Sequence, residues 1–172
     1  MKYVAVTLIA GALAYAGLTI LKPSSAGAAE TTGSWTTFDK GVQQARSEHR
    51  KILVDFYTDW CSWCKKMDQE VYADGRVQRL LGSKFVAVKL NAESNDVLFF
   101  QGKQYTNRAF TQAMGITGYP SIVFFDDQAK PITILPGYVD AGRFADILTY
   151  IGDNHYQTTS FEQFLSGAAS KR

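Results

Sequence analysis

Residues 55–66 read DFYTDWCSWCKK and contain Cys61 and Cys64, the only two cysteines in a chain of 172 residues. The preceding run from Ile52 to Tyr57 is rich in aliphatic, β-branched and aromatic residues, which predicts a strand, and the segment from Cys64 to Val71 predicts a helix. The two thiols are then expected at the turn between them, on one side of the helix's first turn, where Cβ atoms lie about 5–6 Å apart. A disulfide at that separation can open and close with little backbone movement.

The predicted position of the cysteines favours a reactive thiolate. Unpaired N–H groups and a partial positive charge at a helix N-terminus stabilise an anion. Such surroundings lower the pKa of a cysteine thiol from about 8.5 into a range of about 3.5–7.5. The pattern therefore indicates a redox-active Cys-x-x-Cys pair.

Three other uses of a close cysteine pair fit the sequence less well. A structural disulfide closed over two residues would stabilise the fold little, because that effect grows with loop length. A c-type haem site needs a histidine directly after the second cysteine, where Lys65 stands. Zinc needs about four ligands, and the chain adds only His49 and His155, at no recognised ligand spacing. We therefore expect no metal and no cofactor beyond the redox-active Cys61-Cys64 disulfide.

Residues 1–28 have the layout of a secretory signal peptide. Lys2 is followed by an uncharged apolar stretch from Val4 to Leu21, and small residues lead to Ala28, after which we expect cleavage. An uncleaved N-terminal membrane anchor is the alternative, because the apolar stretch is close to the lower limit of spanning length. Either way the folded part is expected outside the cytoplasm, in the periplasm.

Composition suits one neutral domain with a sizeable core. The chain has 18 basic and 16 acidic residues, and 46% of its residues are hydrophobic. Removal of residues 1–28 takes away Lys2 and Lys22 and no acidic residue, which leaves 16 basic residues against 16 acidic ones. A domain without net charge is no nucleic-acid binder by charge.

Helices and strands are predicted to alternate after a polar linker at residues 29–34. The first elements are a helix over Thr37–His49 with a capping box of Thr36 and Asp39, a short helix over Arg76–Leu81 capped by Asp74, and a strand over Lys84–Asn91. Later elements are a hairpin within Asn95–Tyr105 that turns at Gly102, a helix from Thr106 or Asn107 to Met114, and strands over Ser121–Phe125 and Pro131–Leu135. A helix capped by Asp140 and a short helix over Ser160–Leu165 follow, with a frayed tail beyond. The length of the crossover between the first two strands predicts parallel pairing.

Three segments resemble the thioredoxin family in order and spacing over residues 35–151. They are Val54-Asp55-Phe56 with Trp60-Cys61 and Cys64-Lys65, then Val88-Lys89-Leu90-Asn91, then Gly115-Ile116-Thr117-Gly118-Tyr119-Pro120-Ser121. The resemblance implies an α/β thioredoxin fold, with a central mixed β-sheet flanked by helices. The hairpin would be an insertion, and residues 152–172 a short helical extension.

The hairpin and the C-terminal tail point to a smaller group within the thioredoxin family. They are similar to those of exported thioredoxin-like proteins related to the sulfur-oxidation thioredoxins and to the C-terminal domain of the DsbD reductase. This implies a thiol-disulfide oxidoreductase that acts on protein disulfides as a reductant and is itself reduced by a membrane thiol-relay protein. An oxidant or isomerase of exported proteins, and a non-catalytic binding module, remain alternatives. We expect a monomer, because no dimerisation domain precedes Trp35.

The resemblance also assigns roles at the cysteines. It implies that Cys61 is the exposed attacking cysteine, Cys64 the buried resolving one, and Lys89 a lysine beside the buried carboxylate of Asp55. Asp55 lies mid-strand among apolar residues, where burial should raise its pKa and allow it to accept the proton of Cys64. An ion pair with Lys89 that only satisfies two charges is the alternative, and the two are compatible.

Residues on both sides of the cysteines suit a polypeptide substrate. Tyr119-Pro120 matches the family's cis-proline loop, whose backbone pairs with an extended substrate. Trp60 and Trp63 supply flat apolar surface beside the cysteines, although a buried packing role for Trp60 is equally compatible with the sequence. Ser62-Trp63 departs from the Gly-Pro of thioredoxins, which leaves the reduction potential open.

Overall fold

The computed structural model describes residues 35–169. The predicted signal segment and linker, together with the last three residues of the chain, lie outside this range. Within it, none of the helices combines the length and the apolar character that crossing a membrane requires.

Helices and strands follow one another in the predicted order. The strands are β1 (Lys51–Tyr57), β2 (Phe85–Asn91), β3 (Val97–Phe100), β4 (Lys103–Thr106), β5 (Ser121–Phe125) and β6 (Pro131–Pro136). The helices are α1 (Phe38–Glu48), α2 (Ser62–Lys66), α3 (Gly75–Lys84), α4 (Asn107–Ala113), α5 (Ala141–Gly152) and α6 (Phe161–Ala169). A π-helical turn, Met67–Val71, follows α2 directly, and a 3₁₀ turn, His155–Gln157, separates α5 from α6.

A four-stranded mixed sheet in the order β2-β1-β5-β6 forms the centre of the fold. β1 runs parallel to β2, as predicted, and antiparallel to β5, and β5 is antiparallel to β6. β3 and β4 form the predicted hairpin as a separate two-stranded sheet. The strand that leads to the cysteines therefore has a hydrogen-bonded neighbour on each side.

Side chains of β1 alternate between two hydrophobic cores, one on each face of the sheet. Ile52, Val54 and Phe56 pack with aromatic residues of α1 and α4. Leu53 packs on the opposite face with the π-helical turn, α3 and α5. Because strand side chains alternate, Asp55 shares the face of Leu53, beneath the helical segment that carries Cys64.

Two predicted helix starts differ from the structure. The capping box of Thr36 and Asp39 is wrong: Thr37 precedes α1 without a side-chain cap, and Asp39 instead accepts the N–H of Phe99 at 2.9 Å. Thr36 lies beside β2 instead, and its N–H donates to the carbonyl of Ala87. The cysteine helix begins at Ser62 rather than Cys64 and changes to π-helical geometry at Met67.

The last helix is longer than predicted. Its capping box is present, because Ser160 and Gln163 exchange hydrogen bonds of 3.3 Å. Phe161 and Phe164 pack against Tyr150 of α5, with ring centroids 5.1 and 5.4 Å away. The helix then continues to Ala169, where a frayed tail had been predicted.

Candidate active site

The two cysteines lie where β1 gives way to α2. The N–H of Cys61 donates to the carbonyl of Thr58 at 3.2 Å, which closes the turn after β1. Cys61 is the N-cap of α2, and Cys64 lies in the first turn of that helix. Their Cα atoms are 5.3 Å apart, and the sulfurs form a disulfide. The structure therefore brings together the pair that the sequence singled out.

The two sulfurs differ in their hydrogen bonds to the backbone of α2. The N–H of Cys64 donates to Sγ of Cys61 at 3.0 Å. Within residues 35–169, Sγ of Cys64 receives no comparable hydrogen bond. Since a hydrogen bond strengthens when its acceptor becomes an anion, this donor favours a thiolate at Cys61 over one at Cys64 in the dithiol form.

Exposure does not distinguish the two cysteines. Cys61 exposes 4% of its surface and Cys64 3%, so the expectation of an exposed Cys61 is wrong for the disulfide form. Both cysteine side chains are buried in this form, whereas the indoles of Trp60 and Trp63 are 67% and 53% exposed. That exposure rules out a buried packing role for Trp60. The disulfide is thus recessed, whereas the indole that precedes each cysteine in the sequence is exposed.

Asp55 is buried beneath this helical segment with little compensation for its charge. It exposes 1% of its surface, and its Oδ2 lies 3.5 Å from Nζ of Lys89. Its Oδ1 accepts no hydrogen bond from the described residues. Burial raises the pKa of Asp55 from 3.8 to about 6, Lys89 opposes the rise, and the negative charge of Asp68 adds to it. This carboxyl can therefore exchange a proton near neutral pH.

Lys89 links Asp55 to a second carboxylate. Its Nζ also forms a short ion pair with Asp68, which lies on the π-helical turn after α2. The same ammonium lies 5.1–5.7 Å from the ring centroids of Trp35, Tyr57 and Tyr72. Because cation–π contacts and two carboxylates hold it, Lys89 has a fixed position beside Asp55.

Tyr72 adds a neutral hydroxyl to this network. Burial and the nearby Asp55 raise the pKa of Tyr72 well above 10, so the phenol keeps its proton. Its hydroxyl acts on Asp55 and lowers the pKa of that carboxyl, although the pair lacks normal hydrogen-bond geometry. A cleft of about 420 Å³ borders Tyr72, Asp68 and Lys89. The ammonium and the outer carboxylate can therefore reach solvent while Asp55 stays buried.

Tyr119 and Pro120 lie beside Trp60 in the loop before β5. The peptide bond between them is cis. The ring of Tyr119 meets the indole of Trp60 edge-on, with centroids 6.1 Å apart. Nε1 of Trp60 in turn donates to the carboxylate of Glu93 at 3.1 Å. The exposed indole is thus held between the cis-proline loop and the loop after β2.

A family assignment follows from comparison with known proteins. The sequence pattern of the family described as "Thioredoxin-like domain" matches residues 38–152, which is more than half of the chain. The chain belongs to this family. The match confirms the predicted family, and the mixed sheet flanked by helices confirms the predicted fold class.

Curated relatives of this thioredoxin-like chain include thiol:disulfide interchange proteins. The protein named DsbD from Photorhabdus laumondii is 30% identical over 120 residues, which cover 69% of this chain and 19% of that protein. The similarity confirms the predicted relation to DsbD. This chain nevertheless spans only about a fifth of the length of such relatives.

Solved structures share the fold at lower sequence identity. A thioredoxin from Thermus thermophilus superposes with a TM-score of 0.58 at 21% identity, over 70% of this chain and 87% of that one. A thioredoxin-fold protein from Helicobacter pylori gives a TM-score of 0.56 at 20% identity, over 72% and 82% of the two chains. These similarities establish the fold of the thioredoxin-like chain.

Sequence reasoning missed several residues around the cysteines. Asp68 lies four residues after Cys64, a helical spacing that could have suggested a place on the same side of the helix. Glu93, Tyr72 and Tyr138 carried no comparable signal, because each meets the site only through the tertiary fold. Among the described residues, no three His, Cys, Asp or Glu side chains are close enough to hold a metal ion.

Proposed function

We propose that this chain is a thiol-disulfide oxidoreductase that exchanges electrons with protein disulfides through Cys61 and Cys64. The observation that carries the proposal is the hydrogen bond from the N–H of Cys64 to Sγ of Cys61, in a disulfide at a helix start. It supports Cys61 as the nucleophile, because the sulfur with a donor is the better thiolate. Family membership and the DsbD relatives support the same reaction class.

The reaction begins with the dithiol form. The Cys61 thiolate attacks one sulfur of the substrate disulfide, a Cys61–substrate disulfide forms, and the first substrate sulfur leaves as a thiolate that takes a proton from solvent. Cys64 then transfers its proton to the carboxylate of Asp55, and its sulfur attacks Sγ of Cys61. The Cys61–Cys64 disulfide forms, and the second substrate thiolate leaves. Two electrons have passed to the substrate.

Asp55 is the proton acceptor in this proposal, and Lys89 adjusts its acidity. Support comes from the burial of Asp55 and from its pKa of about 6, which matches a base that works near neutral pH. Lys89 lies close enough to favour the carboxylate, while its second partner, Asp68, limits that effect. The carboxyl of Asp55 is therefore partly ionised and partly protonated near pH 6.

The substrate binds in extended form along Tyr119 and Pro120, beside Trp60 and Trp63. The backbone N–H and carbonyl of Tyr119 make no hydrogen bond to the rest of the described chain, which leaves them available to a partner strand. The carbonyl of Pro120 is already taken by the N–H of Gly137 at 2.8 Å. The two exposed indoles, each next to a cysteine in the sequence, supply apolar surface near the reacting sulfurs.

The working direction we propose is reduction of exported proteins in the periplasm, with a membrane thiol-relay protein as electron donor. The signal-like residues 1–28 support export. No histidine stands between the cysteines to stabilise a thiolate strongly, as an oxidant requires. In an oxidising compartment the pair needs a donor to stay reduced.

Trapping of mixed disulfides tests the assignment. Cys64→Ser should accumulate covalent complexes with substrate proteins, because the resolving thiol is gone, and Cys61→Ser should form none. Complexes that persist without Cys61 would contradict the assigned nucleophile. Equilibration with glutathione buffers tests the direction, since a potential near that of the strong oxidant DsbA, about −120 mV, would reverse it.

A further inference from the structure

Trp63 belongs to a cluster that the reaction itself does not need. Its ring lies against Tyr138, with centroids 5.3 Å apart and planes tilted by 45°. Nζ of Lys66 lies 5.1 Å from the centroid of each ring. We refer to Trp63, Tyr138 and Lys66 as the Trp63 platform.

Polar contacts fix the platform in place. The hydroxyl of Tyr138 donates to Oε2 of Glu70 at 2.9 Å. The same oxygen lies 3.8 Å from Nζ of Lys66, so the ammonium is balanced by a carboxylate. Three residues from α2 and the π-helical turn thereby connect to the loop after β6. The platform therefore presents a fixed aromatic surface with its one cation neutralised.

The indole of Trp63 remains 53% exposed despite these contacts. Burial in the core cannot account for its position, and a freely rotating surface side chain would not contact both the ring of Tyr138 and the ammonium of Lys66. A side chain that is already immobilised loses little conformational entropy when a ligand covers it. This combination is typical of a preorganised binding surface.

The position of the platform limits what can cover it. Trp63 directly precedes Cys64 in the first turn of α2, so its exposed indole belongs to the same helical turn as the disulfide. Cys61 is recessed, and a protruding or extended segment is needed to bring a partner cysteine to that depth. The side chain next to that cysteine can then meet an aromatic surface whose ammonium is balanced by Glu70, which suits an apolar group.

We propose that the Trp63 platform selects extended polypeptides that carry an apolar side chain directly beside the reacting cysteine. This proposal rests on the proposed function and adds a substrate preference to it. Tyr138 and Lys66 are positioning residues, because they act by holding the indole of Trp63. The Trp60 side of the disulfide is separate, since Glu93 and Tyr119 hold that indole.

Short peptide disulfides test the preference. We suggest two symmetrical dimers of one peptide that differ only in whether leucine or serine flanks the cysteine. Single-turnover rate constants for their reduction by the dithiol form should differ by about tenfold in favour of leucine, the size typical of a small apolar contact. Glutathione disulfide serves as a third substrate without apolar flanks.

Variants assign the preference to the platform. Trp63→Ala should reduce the leucine-to-serine rate ratio from about ten to about one, and Tyr138→Phe, which keeps the ring but loses the bond to Glu70, should reduce it about threefold. Phe99→Ala is the matched control, because Phe99 is an aromatic residue of the β3–β4 hairpin with 58% exposure. Its rate ratio should equal that of the parent protein.

The outcomes separate the two proposals. A parent ratio near one, or a ratio that survives Trp63→Ala, would overturn the substrate preference while the reductase activity stands. Failure to reduce any of the three disulfides would overturn the proposed function, and this inference with it. Urea unfolding of each variant shows whether a changed ratio reflects the platform or a damaged fold.

Discussion

Lys89 stands opposite Asp55 in the parallel register of β1 and β2, with its Nζ 3.5 Å from Oδ2 of the carboxylate. The opposite charge does not cancel the effect of burial, which is the largest cause of the raised pKa of Asp55, and the negative charge of Asp68 adds to that rise. The pKa of Asp55 therefore stays above its ordinary value. The ion pair with Lys89 and the proposed role as proton acceptor both require the ionised carboxylate of Asp55, so the two roles are compatible at the same pH.

Stability of the disulfide form should depend on pH through Asp55. Its raised pKa means that the folded state binds this proton more tightly than the unfolded state. The resulting stabilisation is complete below about pH 3.8 and is lost as the pH rises through about 6. Asp55→Asn should therefore raise the unfolding free energy at pH 8, by at most about 3 kcal/mol, and give no such gain below pH 4.

Urea unfolding at pH 4, 6 and 8 measures this dependence. Glu162→Gln, which removes an exposed carboxylate of α6, is the control and should follow the parent protein at each pH. A gain from Asp55→Asn that is equal at pH 4 and pH 8 would assign the effect to packing rather than to ionisation.

The second chemical step should slow when Asp55 cannot accept a proton. In Asp55→Asn, resolution of the mixed disulfide by Cys64 should fall by about 10²-fold near neutral pH, the lower range for loss of a general base. Stopped-flow release of a fluorescent peptide thiol follows this step directly. Attack by Cys61, measured as formation of the mixed disulfide, should change less. An unchanged pH profile for release would make Asp55 only structural.

The charge of Asp68 should raise the pKa of Asp55 without direct contact between the two carboxylates. Its negative charge raises the pKa of Asp55, and it competes for the ammonium of Lys89. Asp68→Asn should therefore lower the pKa of Asp55 below about 6, which ¹³C NMR titration of the carboxyl detects. Glu70→Gln changes another carboxylate of the same π-helical turn and should leave that pKa in place. A rise after Asp68→Asn would refute the charge argument.

Glu93 should hold the indole of Trp60 in the position proposed for substrate binding. Glu93→Ala removes the acceptor of Nε1, so KM for a protein disulfide should rise about threefold while kcat changes less. Glu93→Gln keeps an acceptor oxygen and should behave like the parent protein. Faster depolarisation of tryptophan fluorescence in the alanine variant would report the freed ring. Equal KM values in all three proteins would exclude a positioning role.

The sequence predicted those parts of the site that depend on local pattern. A run of β-branched and aromatic residues ahead of Cys61 was sufficient for β1, and the apolar neighbours of Asp55 within that run predicted its burial. The resemblance to the thioredoxin family implied Lys89 beside Asp55, and the parallel register of β1 and β2 accounts for that position.

Contacts between segments far apart in the sequence could not be predicted from local sequence patterns. Tyr138 meets Trp63 only because the turn after β6 ends near α2, and no periodic pattern encodes that approach. The π-helical turn after α2 also lacks a sequence signature, although it determines where Asp68 points. The expected exposure of Cys61 is wrong for the disulfide form, because a place at the start of a helix does not determine how deeply the neighbouring loops bury the sulfur.

β1 is hydrogen-bonded along both edges, and its residues from Ile52 to Phe56 are buried. Amides in such a strand exchange with deuterium only when the whole fold opens, whereas amides of frayed ends and loops exchange through local opening. Cys61 follows within a few residues of this strand. The cysteine that forms and breaks a covalent bond at every turnover therefore follows directly on a strand that we expect to be among the last to unfold. Strain from a covalently bound partner should then leave β1 folded.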